Sequence, residues 1–300
     1  MSWVNTAILG AAVFGIVNII DSHLLSKRMP SLRALLLPAG IIHLTYSLVL
    51  FNLFPLPEST AILPVLVAVA SGMLRTAALT IMLYSLKKEE VSRVIPIVYT
   101  YPIFVAIMAT QLLGETLYYL EWLAITIVVA GAVMVSVRRA PSGSITWLGK
   151  PFLLLFGSSL LLATADIATK YALAYISFWN MFWLSAFCMS GIFILVSIRP
   201  SVFRQLSSLK QRNSALGLVA VGETLALLAI LLVFWALERG PVSLVSTIAS
   251  SRPIFVVIFA LILSRVSPVF LEWQPSRGML ALRLIATAMI VGGISIIHLT

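Results

Sequence analysis

Apolar residues run through this chain in long blocks, and the polar residues gather between the blocks instead of alternating with them. Ten blocks are long enough to cross a bilayer: 3–25, 34–55, 62–86, 92–113, 117–137, 151–173, 177–198, 214–237, 242–264 and 279–299. A helix rises about 1.5 Å per residue and needs roughly 20 apolar residues to span hydrocarbon. Lipid cannot satisfy backbone polar groups, and the alternation of a membrane barrel is missing, so the spans are predicted to be helices. The first block has no basic leader, exceeds the length of a signal core and lacks a small-x-small cleavage site; it reads as a span.

The pattern also repeats. PIFV occurs at Pro102–Val105 and again at Pro253–Val256, 151 positions apart. With flanks included, Val91–Ile107 and Val242–Ile258 agree at 9 of 17 positions, and at the same offset Leu120-Glu121-Trp122 meets Leu271-Glu272-Trp273. A shared proline and a shared polar-aromatic tripeptide indicate an internal duplication. Each copy holds five spans, an odd number, so the second enters the membrane upside down, the plan of many secondary transporters. The predicted fold is therefore an all-α integral membrane protein of ten transmembrane helices, as two inverted five-helix repeats over 1–139 and 140–300. They join near Arg138–Ile145 (RRAPSGSI), a basic turn with Pro and Gly. The second copy carries extra residues, Gln274–Arg283, that read as an interfacial loop.

Composition agrees. Of 300 residues 61% are hydrophobic and 10% charged, against about 25% charged in soluble domains. The net charge of +10 raises the possibility of nucleic acid, but its placement excludes that reading. Sixteen of the 20 basic residues lie in or beside alternate connections, whereas the other connections hold only Arg239. Short basic loops stay cytoplasmic. The charge is a topology signal for a cell (inner) membrane protein with both termini outside the cytoplasm. Cys188 is alone, the three histidines show no metal spacing, and no phosphate-cradling loop or acid cluster occurs. No metal, cofactor or catalytic residue is expected, which argues against an intramembrane enzyme.

The repeat resembles the EamA family of the drug/metabolite transporter superfamily. The resemblance rests on Pro102-Ile103-Phe104, Gly114-Glu115 and Gly131 in the first copy, and on Pro253-Ile254-Phe255 and Gly292 in the second. Val266 stands where Glu115 would recur. The resemblance implies the ten-helix plan and transport, and specifies substrate hardly at all. Members of that family are expected with cytoplasmic termini; the sixteen-to-one basic bias here points the other way and is followed.

Charges within spans carry the candidate site, because one charge at the bilayer centre costs about 2.5–3.5 kcal/mol. Arg75, Glu223 and Arg252 are the deepest. Arg75 and Glu223 occupy corresponding spans and could meet as a locking pair or serve substrate. Arg252 precedes Pro253, lies opposite a stripe of Ser243, Ser246, Thr247 and Ser250, and is assigned to the aqueous pathway with its counterpart Tyr101. The stripe is assigned to helix contacts. Asp166 and Lys170, one turn apart, read as an ion pair or as coupling groups. Asp21 and His23 read as interfacial, Glu115 as a helix-terminus or gating device, and Pro102 and Pro253 as hinges.

Net positive charge at the centre predicts transport of a small anionic or zwitterionic metabolite such as an amino acid or organic acid. Protons are the candidate coupling ion. The partners are then a small-molecule substrate and the lipid bilayer, with no nucleic acid, in a monomer or homodimer. The alternative of the same fold is a lipid or lipid-linked-sugar flippase.

Overall fold

A computed structural model describes residues 2–88, 94, 97–136, 150–266 and 277–299. The predicted join at 138–145, the repeat tripeptide at 271–273 and the start of the extra loop at 274–276 lie outside these residues. The described chain is helical: α1 Trp3–His23, running into a π-turn at Leu24–Arg28, α2 Leu32–Leu53, α3 Ile62–Lys88, α4 Tyr101–Leu112, α5 Tyr119–Ser136, α6 Lys150–Leu173, α7 Phe178–Ser197, α8 Pro200–Ser207, α9 Arg212–Arg239, α10 Val242–Ala249, α11 Arg252–Val266 and α12 Arg277–Leu299. Among the described residues, seven helical segments are long and apolar enough to cross a membrane, and three shorter apolar helices accompany them. Leu66, Leu195, Ile262 and Leu284 point large apolar side chains outward, which suits lipid and not water. Polar side chains such as Ser71, Asp166, Thr169 and Ser246 are buried instead.

The ninth span differs from the continuous helix predicted over 242–264. It breaks at Ser250–Ser251 into α10 and α11, and the extra segment from Arg277 onward is helical rather than loop. The break has a local cause. Proline has no N–H and its ring crowds the carbonyl four residues back, so Pro253 leaves the Ala249 carbonyl open. Arg252 Nε donates to that oxygen at 2.9 Å, and Ser251 closes the turn, its Oγ donating to the Ile248 carbonyl at 2.6 Å. Pro102 acts alike in the other copy. There a turn at Tyr99–Thr100 precedes α4, and Thr100 Oγ1 donates to the Ile97 carbonyl at 2.7 Å. Thr100 and Ser251 are separated by the same 151 positions as the PIFV repeat.

The most extensive helix contacts are α2 with α7, α3 with α6, α5 with α12 and α1 with α9, followed by α3 with α7, α1 with α11, α4 with α6 and α4 with α10. Small residues permit the closest approaches. On α5, a Cβ at Gly131 would lie 2.9 Å from the Ala286 carbonyl and 2.8 Å from Ile290 Cγ1. On α12 it is Gly293, whose added Cβ would meet Val128 Cγ2 at 2.5 Å, that presses back on α5. Gly292, the position singled out in the sequence, faces open space. Overpacking typically costs 1–3 kcal/mol. Gly131→Leu and Gly293→Leu are therefore expected to lower the unfolding temperature of the detergent-purified protein, with Gly292→Ala close to wild type.

Candidate functional site

Three polar clusters interrupt the apolar interior, and each is built where helices meet. The first joins α3 to α6. Arg75 Nη2 lies 2.8 Å from Asp166 Oδ1 and 3.2 Å from Thr169 Oγ1, with the guanidinium carbon 5.3 Å from the Phe234 ring centre. Asp166 Oδ2 accepts from Ser246 Oγ of α10 at 2.6 Å. Ser71 Oγ lies 2.7 Å from Thr169 Oγ1 and donates to the Ala165 carbonyl at 2.9 Å. This corrects two expected pairings: Arg75 meets Asp166 and not Glu223, and Asp166 does not pair with Lys170. Four residues along a helix turn the side chain by about 40° beyond a full revolution, enough for Asp166 to face α3 while Lys170 reaches α9.

The second cluster lies between α1, α2 and α9. Glu223 Oε2 and His43 Nε2 are 3.0 Å apart. Tyr46 and Thr224 hydroxyls lie 3.2 Å apart beside them. Asp21, expected at the interface, follows Ile20, which packs against α9: a Cβ at Gly222 would lie 3.0 Å from Ile20 Cγ2. His43 was not among the residues singled out from the sequence; an imidazole in the middle of an apolar block was the available signal.

Arg252 forms the third. Its guanidinium carbon stacks 3.8 Å from the centre of the Phe14 ring on α1, and no described carboxylate lies within 4.0 Å of its nitrogens. Tyr99 and Asn18 lie beside it. Tyr101, the repeat counterpart, is buried, and its hydroxyl donates to the Ser246 carbonyl at 3.1 Å. It sits between the Arg252 and Arg75–Asp166 clusters and interacts electrostatically with all three charges. Phe14, Asn18 and Tyr99 were not foreseen, because only the packing of α1 on α11 brings Phe14 and Asn18 to Arg252, and Tyr99 arrives from the turn before α4.

Lys170 and Glu115 do something the sequence shows only for one of them. Lys170 Nζ donates to the Leu237 and Gly240 carbonyls at 2.7 and 2.8 Å, at the C-terminus of α9. Glu115 accepts from the Val242 N–H at 2.6 Å, from the Ser243 N–H at 3.3 Å and from Ser243 Oγ at 2.6 Å, at the N-terminus of α10. A cation on terminal carbonyls and an anion on leading amides each complement the helix dipole and satisfy orphan backbone groups. Together they clamp the α9–α10 turn from both sides. Gly114 permits it by adopting φ 68°, a conformation costly for residues with a Cβ. Trp3 covers the turn so closely that a Cβ at Gly240 would fall 2.5 Å from its ring. The expected stripe therefore divides: Ser243 and Ser246 serve carboxylates, while Thr247 and Ser250 bond back to their own helix.

These features define a multi-pass membrane protein with ionisable groups buried between its helices. The model of the EamA-like transporter family matches residues 1–137 and 149–298. The chain belongs to that family, which is a family of membrane transporters within the drug/metabolite transporter superfamily. A solved structure titled "Crystal structure of protein" shares the fold, with a TM-score of 0.71, 16% identity, and coverage of 99% of this chain and 95% of that one. The comparison with curated proteins returns no match.

Breaking a buried ion pair by removing one partner costs about 3–5 kcal/mol, because the other charge is stranded. Arg75→Met and Asp166→Leu should each lower the unfolding temperature markedly, with the double variant recovering part of the loss. Strict additivity in that cycle would show that the two charges do not support each other.

Proposed function

We propose that this chain is a secondary transporter of a small anionic or zwitterionic metabolite, such as an amino acid or organic acid, working by alternating access. In this reading its ten spans form two inverted five-helix repeats, 1–139 and 140–300, in the cell membrane with both termini outside the cytoplasm. The pairing of helices supports the repeat. Numbering spans from one to ten, exchange of the halves carries the pair of third and sixth spans into the pair of eighth and first. It returns the pairs two–seven, four–nine and five–ten to themselves. The matching turns before Pro102 and Pro253 support it independently and suit a hinge role for both prolines.

The observation that carries the substrate class is Arg252. A guanidinium within the span has an aromatic face and one carbonyl as partners, while Arg75 is already neutralised by Asp166. A cation–π contact contributes about 0.5–2 kcal/mol, short of the cost of a charge at the bilayer centre. A carboxylate or phosphate-like group on a solute supplies the missing counter-charge, with Tyr101 bordering the same site and Arg75 behind it. Lys170 and Glu115 then act as the gate at the end of the molecule that carries the termini. Opening that end requires the α9–α10 turn to leave them.

The test is thermal stability of the purified protein against L-glutamate, L-alanine, succinate and choline, repeated with Arg252→Ala. A ligand at 100 times its dissociation constant adds about 2.7 kcal/mol. Stabilisation by glutamate, alanine or succinate that disappears in the variant is the expected result. Stabilisation by choline, or by lipids alone, would contradict the assigned substrate class and favour a cation carrier or a flippase.

A further inference from the structure

Between α7 and α9 the chain forms α8, Pro200–Ser207, a helix too short to span a bilayer. It begins three residues after α7 ends at Ser197, so it lies where a span leaves hydrocarbon, at the basic end of the molecule. It is amphipathic. Val202 is buried against Ala34 and Leu37 of α2, with Leu206 packed beside it, and Ser31 Oγ donates to Gln205 Oε1 at 2.6 Å. One face is thereby pinned to the start of α2. Phe203 points elsewhere and is 53% exposed, and Ile198, just before the helix, is exposed too. Apolar side chains left outside at that level meet acyl chains, as in helices that lie along a membrane interface.

Alongside Phe203, α8 and the opening turns of α9 enclose a groove of about 520 Å3, a size that suits a small ligand. Phe203, Leu206 and Leu216 give it an apolar wall, and Arg204, Ser207 and Arg212 its polar edge. Both arginines are exposed, and no described carboxylate lies within 4.0 Å of their nitrogens. The sequence accounts for the lack. Residues 22–57 and 167–222 supply the π-turn, α2, α7, α8 and the opening turns of α9, and they contain no Asp or Glu. Lys210, also exposed, adds a further positive charge in the connection between α8 and α9.

Two guanidiniums beside an apolar wall, at the surface of the bilayer, select one kind of occupant. A phosphate group accepts strong, often bidentate bonds from arginine, and the wall suits an acyl chain of the same molecule. A soluble anion would use the arginines and leave Phe203, Leu206 and Leu216 uncovered. A zwitterionic lipid would bring its ammonium to a face with no acid to receive it.

We infer that this groove binds one anionic phospholipid, its phosphate held by Arg204 and Arg212 and an acyl chain lying along Phe203 and Leu216. The lipid is a resident partner at the surface and not the cargo. The site stands on the geometry of α8 and α9 and is independent of the transport reading.

The experiment is native mass spectrometry of the full chain, purified in a non-ionic detergent and offered phosphatidylglycerol or phosphatidylethanolamine with identical acyl chains. Wild type should retain phosphatidylglycerol preferentially. Because each basic residue at a membrane surface strengthens binding of anionic lipid several-fold, Arg204→Gln with Arg212→Gln should weaken that retention by about tenfold or more. Arg33→Gln removes the same charge from the first turn of α2, outside the groove, and should leave retention intact. Equal retention of the two lipids by wild type, unchanged retention in the double variant, or an equal loss in Arg33→Gln would overturn the site. Displacement of the lipid by inorganic phosphate at the same concentration would overturn lipid as the occupant and assign the groove to a soluble anion. In the melting assay, stabilisation by phosphatidylglycerol should survive Arg252→Ala and vanish in the double variant. The reverse would place the lipid at the Arg252 site and overturn the groove.

Discussion

A charge or an open backbone group inside hydrocarbon must find its partner within the protein, because no water is there to supply one. Much of the described interior follows from that constraint. It makes the chain helical, and it explains why the one carbonyl that Pro253 leaves open is taken by the neighbouring arginine. It explains why the ends of α9 and α10, meeting in a tight turn, are closed by a lysine from α6 and a glutamate from the connection between α4 and α5. It also makes an exception informative. Arg252 has a ring and a carbonyl where a counter-ion would be expected.

These groups divide the interior by height. The Lys170–Glu115 clamp lies at the end carrying the termini, the Arg75–Asp166 pair below it, and the His43–Glu223 pair further toward the basic end. Tyr101 joins the Arg75–Asp166 level through Ser246, and α10 spans the first two levels, with Ser243 on Glu115 and Ser246 on Asp166. A movement of α10 therefore disturbs the clamp and the Arg75–Asp166 pair together. A surface groove of about 520 Å3 at the basic end, lined by Phe203, Arg204, Leu206, Ser207, Arg212 and Leu216, belongs to the short helix α8 and not to this polar axis.

How much of this was legible in the sequence depended on range. Spans, the internal repeat and the family resemblance all rest on local composition and on identity at a fixed offset. The break before Pro253 was legible as a hinge but not as a division into two helices, since an apolar run looks the same whether or not it turns. Partners were not legible. Asp166 and Lys170 lie four residues apart and look like a pair until α3 and α9 take one each. Glu223 could be matched with Arg75 by symmetry of position, yet α3 packs on α6 and α9 on α1, which puts them in different contacts. Gly292 and Gly293 are adjacent, and only packing against Val128 selects the second. Glu115 was legible as a terminus device because it follows Gly114, though not that the terminus it serves belongs to another helix.

The central claim is that the site around Arg252 opens to one side of the membrane at a time, with the Lys170–Glu115 clamp holding one side shut. It is tested most directly by labelling Ser250→Cys in a Cys188→Ser background, using an impermeant thiol reagent applied to each face of oriented proteoliposomes. Ser250 is fully buried two residues from Arg252. With the clamp intact, labelling should come from the basic face; adding Glu115→Gln should raise labelling from the face of the termini and lower it from the other. Simultaneous labelling from both faces, or no response to Glu115→Gln, would contradict the account.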